Sequence, residues 1–222
     1  MSKKTTDGQL QVKPLKFRNK EQQEIYQKIE RNSIIILEGP AGTGKTYLAV
    51  YFALKKLALG EVDKIIISRP VKEAGESLGY LPGKLEEKIN PYLRPIFDAM
   101  EEIIGLKAMG RLIETGVIEL GPLAYMRGRT FNSTVFILDE AQNCTVQQTL
   151  LALTRIGLGS TVILTGDLSQ LDLREKSGLW LAMNVDKLEG YCVVRVSAGA
   201  IVRHRIIGGL LEKWGELQRL GL

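Results

Sequence analysis

The chain has two cysteines, one histidine and few aromatic residues (6%), and each scarcity narrows the reading. Cys144 and Cys192 lack metal-site spacing and are too few for a disulfide framework, so a reducing, cytoplasmic setting is expected. No apolar run approaches the roughly 20 residues that a helix needs to cross a bilayer. Met1 to Leu10 is polar and basic, without the apolar stretch of a secretory signal. There is no internal repeat and no low-complexity tract. His204, the single histidine, reads as a structural hydrogen-bond partner rather than a base or ligand.

What is present is ordinary for a globular domain: 222 residues, 45% hydrophobic and 25% charged, enough for one sizeable core or one core with a small appendage. The net charge is +5, and much of the excess is early. Lys3, Lys4, Lys13, Lys16, Arg18, Lys20, Lys28 and Arg31 outweigh Asp7, Glu21, Glu24 and Glu30. That excess suits a solvated tail and helix face, or contact with a polyanion such as nucleic acid. Residues 1–14 lack apolar periodicity and are expected to form a disordered basic tail, with residues 15–222 as one domain.

Strand and helix signals alternate along that domain. Asn19 is placed to cap a helix running to about Glu30. Ser33 to Glu38 is a continuous apolar strand of the kind buried on both faces. A helix is expected from Lys45 to about Leu59, stopped by Gly60, and further strands at 64–68, 117–120, 134–138, 161–165 and 192–196. Helices are predicted over 146–155, 177–188 and 205–220. The stretch 71–105 carries Gly75, Gly79, Pro82, Gly83, Pro91 and Pro95, so loops and short helices are expected there. Residues 71–115 read as a mostly helical insertion. The alternation predicts a three-layer α/β fold with a mostly parallel central sheet.

Gly39-Pro40-Ala41-Gly42-Thr43-Gly44-Lys45-Thr46 follows a strand and opens a helix. Its glycines let successive N–H groups turn toward phosphate oxygens, and the helix start adds its positive dipole end. Lys45 supplies a mobile charge for the β- and γ-phosphates, and Thr46 a hydroxyl for Mg²⁺. These residues, with the adjoining Tyr47, are the expected nucleotide contacts, and ATP with Mg²⁺ the expected ligands. The 134–138 strand runs into Asp139 and Glu140, at the carboxyl end where open α/β sheets place ligands. Asp139 is expected to hold Mg²⁺ through water, and Glu140 to orient and deprotonate the attacking water. The strand ending at Thr165 leads into Gly166-Asp167-Leu168-Ser169-Gln170, where either Asp167 or Gln170 would sense the γ-phosphate.

Together these stretches resemble the PhoH-like family. The resemblance also rests on Ser68-Arg69-Pro70, on 73–82, on Pro91-Tyr92-Leu93-Arg94-Pro95, on Pro122-Leu123-Ala124-Tyr125-Met126-Arg127-Gly128-Arg129-Thr130 and on 137–143. It implies a RecA-like core related to a motor domain of superfamily 1 helicases, in a cytoplasmic ATPase that assembles as a homo-oligomeric, hexameric ring. Some members carry extra nuclease or RNA-binding domains, for which 222 residues leave no room, so a stand-alone core is expected; RNA metabolism or helicase activity is the work the resemblance implies. It also implies that Gln23 reads adenine and that Arg203, in Val202-Arg203-His204, approaches the γ-phosphate. The acidic residue that usually precedes that element is absent here, where the chain reads Ser197-Ala198-Gly199-Ala200-Ile201.

One core holds half of a helicase-type active site, so a second protomer would supply the arginine for the transferring phosphoryl group. Arg203, Arg127 and Arg129 are the candidates. Arg127 and Arg129 equally suit nucleic-acid phosphates or solvent. Three functions fit: a motor on RNA or single-stranded DNA, with Tyr80, Tyr92 and Tyr125 as stacking candidates; a nucleotide switch that regulates a protein such as a nuclease; and, least well, a small-molecule kinase. No membrane partner is expected.

Overall fold

The computed structural model describes residues 10–70, 85–173, 176–185 and 187–197, together with 209, 210, 213 and 217, and the side chains of these except 85–92. In chain order the elements are α1 (Lys20–Arg31), β1 (Ile34–Glu38), α2 (Lys45–Ala58), β2 (Lys64–Ser68), α3 (Leu85–Ile104), α4 (Leu106–Glu114), β3 (Ile118–Leu120), β4 (Thr134–Leu138), α5 (Val146–Leu153), β5 (Thr161–Gly166), α6 (Gly178–Ala182) and β6 (Tyr191–Arg195).

The strands form one six-stranded sheet in the order β3-β2-β4-β5-β1-β6, with every pairing parallel. The continuous apolar runs of β1, β2, β4 and β5 follow from burial on both faces. Ile35, Leu37, Ile65, Ile67, Val135, Ile137 and Ile163 join α1 to α4 in one core. Ile36, Ile66, Phe136, Leu138, Val162 and Leu164 join α5 and α6 in the other. This is the expected three-layer α/β architecture. α2 is central: seven successive residues, Leu48 to Leu54, are buried. α1 covers its outer side through Tyr26, whose ring meets Tyr51 edge-on at 5.8 Å and Phe52 at 6.4 Å. The Asn19 side chain accepts from the Gln22 N–H and starts α1, as its residue type predicts.

Three elements depart from the sequence reading. α3 is a single 20-residue helix despite Pro91 and Pro95. Leu93, Ile96, Met100 and Ile103 recur at helical spacing and are all buried, so packing against α2 outweighs the proline penalty. α6 is five residues long, not twelve, as 177–188 would be. Past Ala182 the apolar positions Val185 and Leu188 are exposed, Tyr191 donates to the Ala182 carbonyl at 2.7 Å, and the Asn184 side chain donates to the Trp180 carbonyl at 2.6 Å. Residues 10–14, placed in a disordered tail, lie on the domain: Val12 packs on the core, and Lys13 N–H donates to the Ile103 carbonyl at 3.1 Å. An isolated apolar contact of this kind has no periodicity to announce it. Of the predicted 205–220 helix, the four described residues are helical, and Leu210 and Leu217 are about half exposed.

Candidate active site

β1 delivers the chain into Gly39 next to the end of β5, where Gly39 N–H donates to the Gly166 carbonyl at 3.1 Å. A Cβ on Gly39 would lie 2.4 Å from the Val196 carbonyl oxygen, so only glycine lets β1 leave beside β6. Gly44 caps α2 in the left-handed region, with φ 85°. Between them the loop closes on Lys45. Its ammonium donates to the carbonyls of Gly39 (2.6 Å) and Pro40 (2.8 Å). Burial holds the Lys45 pKa below the ordinary amine value, against the opposing pull of Asp167, Glu140, Asp139 and Glu38. A cation desolvated among carboxylates is poised to take an anionic ligand.

Asp139 leaves β4 almost fully buried. Its Oδ1 accepts from Thr46 Oγ1 at 2.7 Å and from Thr165 Oγ1 at 2.5 Å. Thr46 and Asp139, the two expected metal ligands, are therefore in direct contact. They fit Mg²⁺: both are hard oxygens, and the ion is characteristically held by one or two protein oxygens with phosphate and water completing its shell. Among the described residues no group of three or more His, Cys, Asp or Glu could hold a metal unaided.

Glu140 adopts left-handed backbone, φ 54° and ψ 38°, which bends the chain at the end of β4 into a 3-10 turn, Ala141–Asn143. Its Oε1 is paired with Arg69 Nη2 at 3.1 Å, and its Oε2 accepts from Gln142 Nε2 at 2.6 Å. Arg69 Nη1 also lies 3.9 Å from Asp139 Oδ2.

β5 runs between β1 and β4, so the residues after it stand between the glycine loop and the acids. Asp167 is the hub there. Its Oδ2 accepts from the Ala41 N–H (3.1 Å) and from Gln170 Nε2 (2.8 Å), and its Oδ1 from the N–H and hydroxyl of Ser169. Its own N–H donates to Gln142 Oε1 at 3.1 Å. One cavity of about 820 Å³ is lined by Ala41, Gly42, Gly44, Lys45, Thr46, Tyr47, Arg69, Asp139, Glu140, Asp167 and Gln170 among others. An adjoining cavity of about 830 Å³ shares Gly44, Tyr47 and Glu102 and is lined by the segment 13–18, Gln22 and Leu48.

Not every expected residue reaches this site. Gln23 is exposed; its neighbour Gln22 is buried, donates to the Thr43 carbonyl at 3.2 Å and lines the second cavity. Arg203, His204 and Tyr80 lie outside the described residues, as does the side chain of Tyr92. Arg129 is committed elsewhere: it grips Glu119 with both terminal nitrogens and stands over the Phe131 ring at 5.2 Å. Arg127 and Tyr125 are exposed on the same loop. Arg69 and Gln142 stand in the stretches that carry the resemblance, but the sequence alone gives neither of them, nor Thr165, a role in the site. The usable signal for Arg69 was its place directly after β2, and for Thr165 a hydroxyl closing an apolar strand beside the acids.

A parallel sheet with one strand set between the glycine-loop strand and the acid strand, and a lysine, threonine and aspartate converging at its carboxyl edge, defines a P-loop NTPase of RecA-like strand order. The family model for PhoH-like proteins matches residues 14–214, and the chain belongs to that family. It is 46% identical over 205 residues to a PhoH-like protein of Bacillus subtilis, covering 91% of this chain and 64% of that one. To a PhoH-like protein of Synechocystis it is 42% identical over 214 residues, covering 95% and 64%. To the protein PhoH of Escherichia coli K12 it is 44% identical over 162 residues, covering 72% and 46%. The chain thus spans 46 to 64% of the length of these relatives. Among solved structures it is similar to a Pif1 helicase from Candida albicans (TM-score 0.40, 16% identity, 82% of this chain and 40% of that one). A Bacteroides Pif1 bound to single-stranded DNA gives a TM-score of 0.38 at 18% identity, covering 83% and 42%. The fold class rests on the strand order itself.

Proposed function

We propose that the protein binds ATP with Mg²⁺, hydrolyses it, and couples hydrolysis to remodelling of RNA or single-stranded DNA. The observation that carries the reading is the Thr46 hydroxyl on the Asp139 carboxylate beside the desolvated Lys45, with Glu140 lining the same cavity. Lys45 and the loop amides would bind and orient the phosphates, the ammonium exchanging loop carbonyls for phosphate oxygens. Thr46 and Asp139 would hold Mg²⁺, which supplies neutralisation of phosphate charge when bound. Glu140 would take the proton of the attacking water. Gln170 and Asp167 would register the γ-phosphate. Gln22, in place of Gln23, and Tyr47 would flank the base in the second cavity.

Tyr125 and Arg127 support the nucleic-acid part. They project from a 3-10 turn, Leu123–Met126, anchored by the buried Leu123 and Met126, and together offer a stacking ring and a phosphate contact. With Arg129 tied to Glu119, the arginine supplied to a neighbouring protomer would be Arg127 or Arg203. A cytoplasmic protomer in a homo-oligomeric ring, a hexamer by family resemblance, completes the proposal.

The test is ATP turnover by wild type and Glu140→Gln with and without RNA and single-stranded DNA. We expect Glu140→Gln to retain ATP binding with turnover at least about a hundredfold slower, and the wild type to be stimulated in a way that fades with salt. A flat response to every polynucleotide would overturn the coupling. A second reading, a nucleotide-dependent switch for a protein partner such as a nuclease, is favoured by the exposed Trp180, Leu181, Val185 and Leu188 near α6. It requires partner affinity to differ between the ATP, ADP and nucleotide-free states.

A further inference from the structure

Two side chains close on Glu140 from opposite sides. The β2–β4 pairing sets Ser68 against Leu138, so the next residues, Arg69 and Asp139, emerge together at the carboxyl edge. From there the guanidinium reaches Glu140 Oε1 at 3.1 Å, with its second nitrogen toward Asp139. On the other side Gln142 donates to Oε2 at 2.6 Å. Gln142 is fully buried, and its amide has one consistent orientation because its oxygen accepts from the Asp167 N–H. The residue between these holders is itself in left-handed backbone, which is unfavourable for a non-glycine residue and persists only where its surroundings over-determine it.

A carboxylate held at each oxygen cannot turn about its terminal bond. Each oxygen still has a second lone-pair direction, so both holders leave it able to accept a proton from water. β2 is separated from β1 by β4 and β5, so Arg69 approaches the acids from the side away from the glycine loop.

We infer that Arg69 is a positioning residue for hydrolysis: with Gln142 it fixes the Glu140 carboxylate in the orientation that accepts the proton of the attacking water. The inference rests on the reading of Glu140 as the water-activating base. Loss of the guanidinium frees Oε1 and lets the carboxylate swing, and misplacing a reacting group by about 1 Å costs on the order of a hundredfold in rate. A lysine would keep the charge but not the planar fork that spans Glu140 and Asp139. A phosphate-binding arginine would show a different signature, weaker nucleotide affinity.

The experiment compares the wild-type chain, Arg69→Ala, Arg69→Lys and Glu140→Gln. It measures kcat and KM for ATP, Mg²⁺-dependent binding of a fluorescent ATP analogue, and turnover with guanidinium chloride or sodium chloride at about 10 mM, far below denaturing levels. We expect Arg69→Ala to lose about 30- to 100-fold in kcat, with nucleotide affinity within about threefold of wild type. Arg69→Lys should recover part of the loss, and guanidinium should raise Arg69→Ala turnover about tenfold where sodium does not. Arg69→Ala turning over within about threefold of wild type, beside an inactive Glu140→Gln, would overturn the inference alone. So would a tenfold or greater loss of nucleotide affinity at unchanged kcat, which marks a phosphate ligand. Glu140→Gln turning over like wild type would overturn the reading of Glu140 itself. Should Arg69→Ala fail to fold, Arg69→Lys and Arg69→Gln answer the same questions.

Discussion

Replacing Glu119 by glutamine should loosen the loop that carries Tyr125 and Arg127, and the cost can be worked from the site. The Glu119 carboxylate takes both terminal nitrogens of Arg129 and, on Oε2, Lys64 Nζ at 2.8 Å. The Arg129 hydrogen bonds, reinforced by Lys64 and opposed by partial burial, pull its pKa from 4.5 to about 2. At about 1.36 kcal/mol per pH unit that drop corresponds to roughly 3.4 kcal/mol. Glu119 is 29% exposed at its side chain, so solvent screening reduces the figure to about 1–2 kcal/mol. The sign follows from the direction. A carboxylate whose folded pKa lies below its unfolded value contributes fully above pH 4.5 and loses that contribution as pH falls toward about 2. Urea unfolding of wild type and Glu119→Gln from pH 7 down to pH 3 is the assay. We expect a gap of about 1–2 kcal/mol at pH 7 that narrows steadily below pH 4.5. A gap independent of pH, or none at pH 7, would refute the reasoning, since both deny the carboxylate its charge-dependent role.

Lys45→Met should weaken ATP binding by at least about a hundredfold. Burial depresses the Lys45 pKa, so the folded state carries a cost that is relieved as pH rises toward 10.5; wild type should gain stability relative to Lys45→Met on going from pH 7 to pH 10. Asp167→Asn should lower stability by about 2–4 kcal/mol and slow turnover, because all four groups on its oxygens are donors and either amide orientation sets N–H against N–H; thermal melts and ATPase assays check both. Arg127→Ala should weaken RNA binding and lower its salt dependence by about one unit without shifting the melting temperature. Arg129→Ala should lower the melting temperature, since it removes the Glu119 pair and the Phe131 contact.

The four inner strands were legible because each carries an apolar run of at least three residues, and the glycine loop and acid pair because their chemistry lies in contiguous residues. The rest depended on neighbours that no local pattern reveals. Gln22 and Gln23 differ by one position, which on a helix is a turn of about 100° and decides which of them faces the glycine loop. The 177–188 run has helical spacing, yet Val185 and Leu188 are exposed, so no buried face extends α6 past Ala182 among the described residues. α3 shows the reverse, a helix carried through two prolines by its buried face. Arg69 and Gln142 lie in stretches that carry the resemblance, but nothing local shows that both meet Glu140. They gain their meaning only because β2 and β5 flank β4 and bring residues 69, 140, 142 and 167 to one edge.

That strand order also sets how the glycine loop and Glu140 are connected. With β5 between them, β1 and β4 stand two strand spacings apart, about 9.5 Å, too far for one hydrogen bond. Asp167 and Gln142 span the gap. The Ala41 N–H reaches Asp167 Oδ2, the Asp167 N–H reaches Gln142 Oε1, and Gln142 Nε2 reaches Glu140 Oε2. Gly166 is small because the bridge passes over it: a Cβ there would lie 2.8 Å from Gln142 Oε1 and 2.4 Å from Leu179. Every link has a buried or half-buried polar partner, so breaking one strands a donor at about 1–3 kcal/mol. That is the size of a typical coupling free energy between sites. On the proposed function, a nucleotide that drew the Ala41 N–H away from Asp167 would remove the first link of this chain, and Asp167 and Gln142 would carry the change toward Glu140.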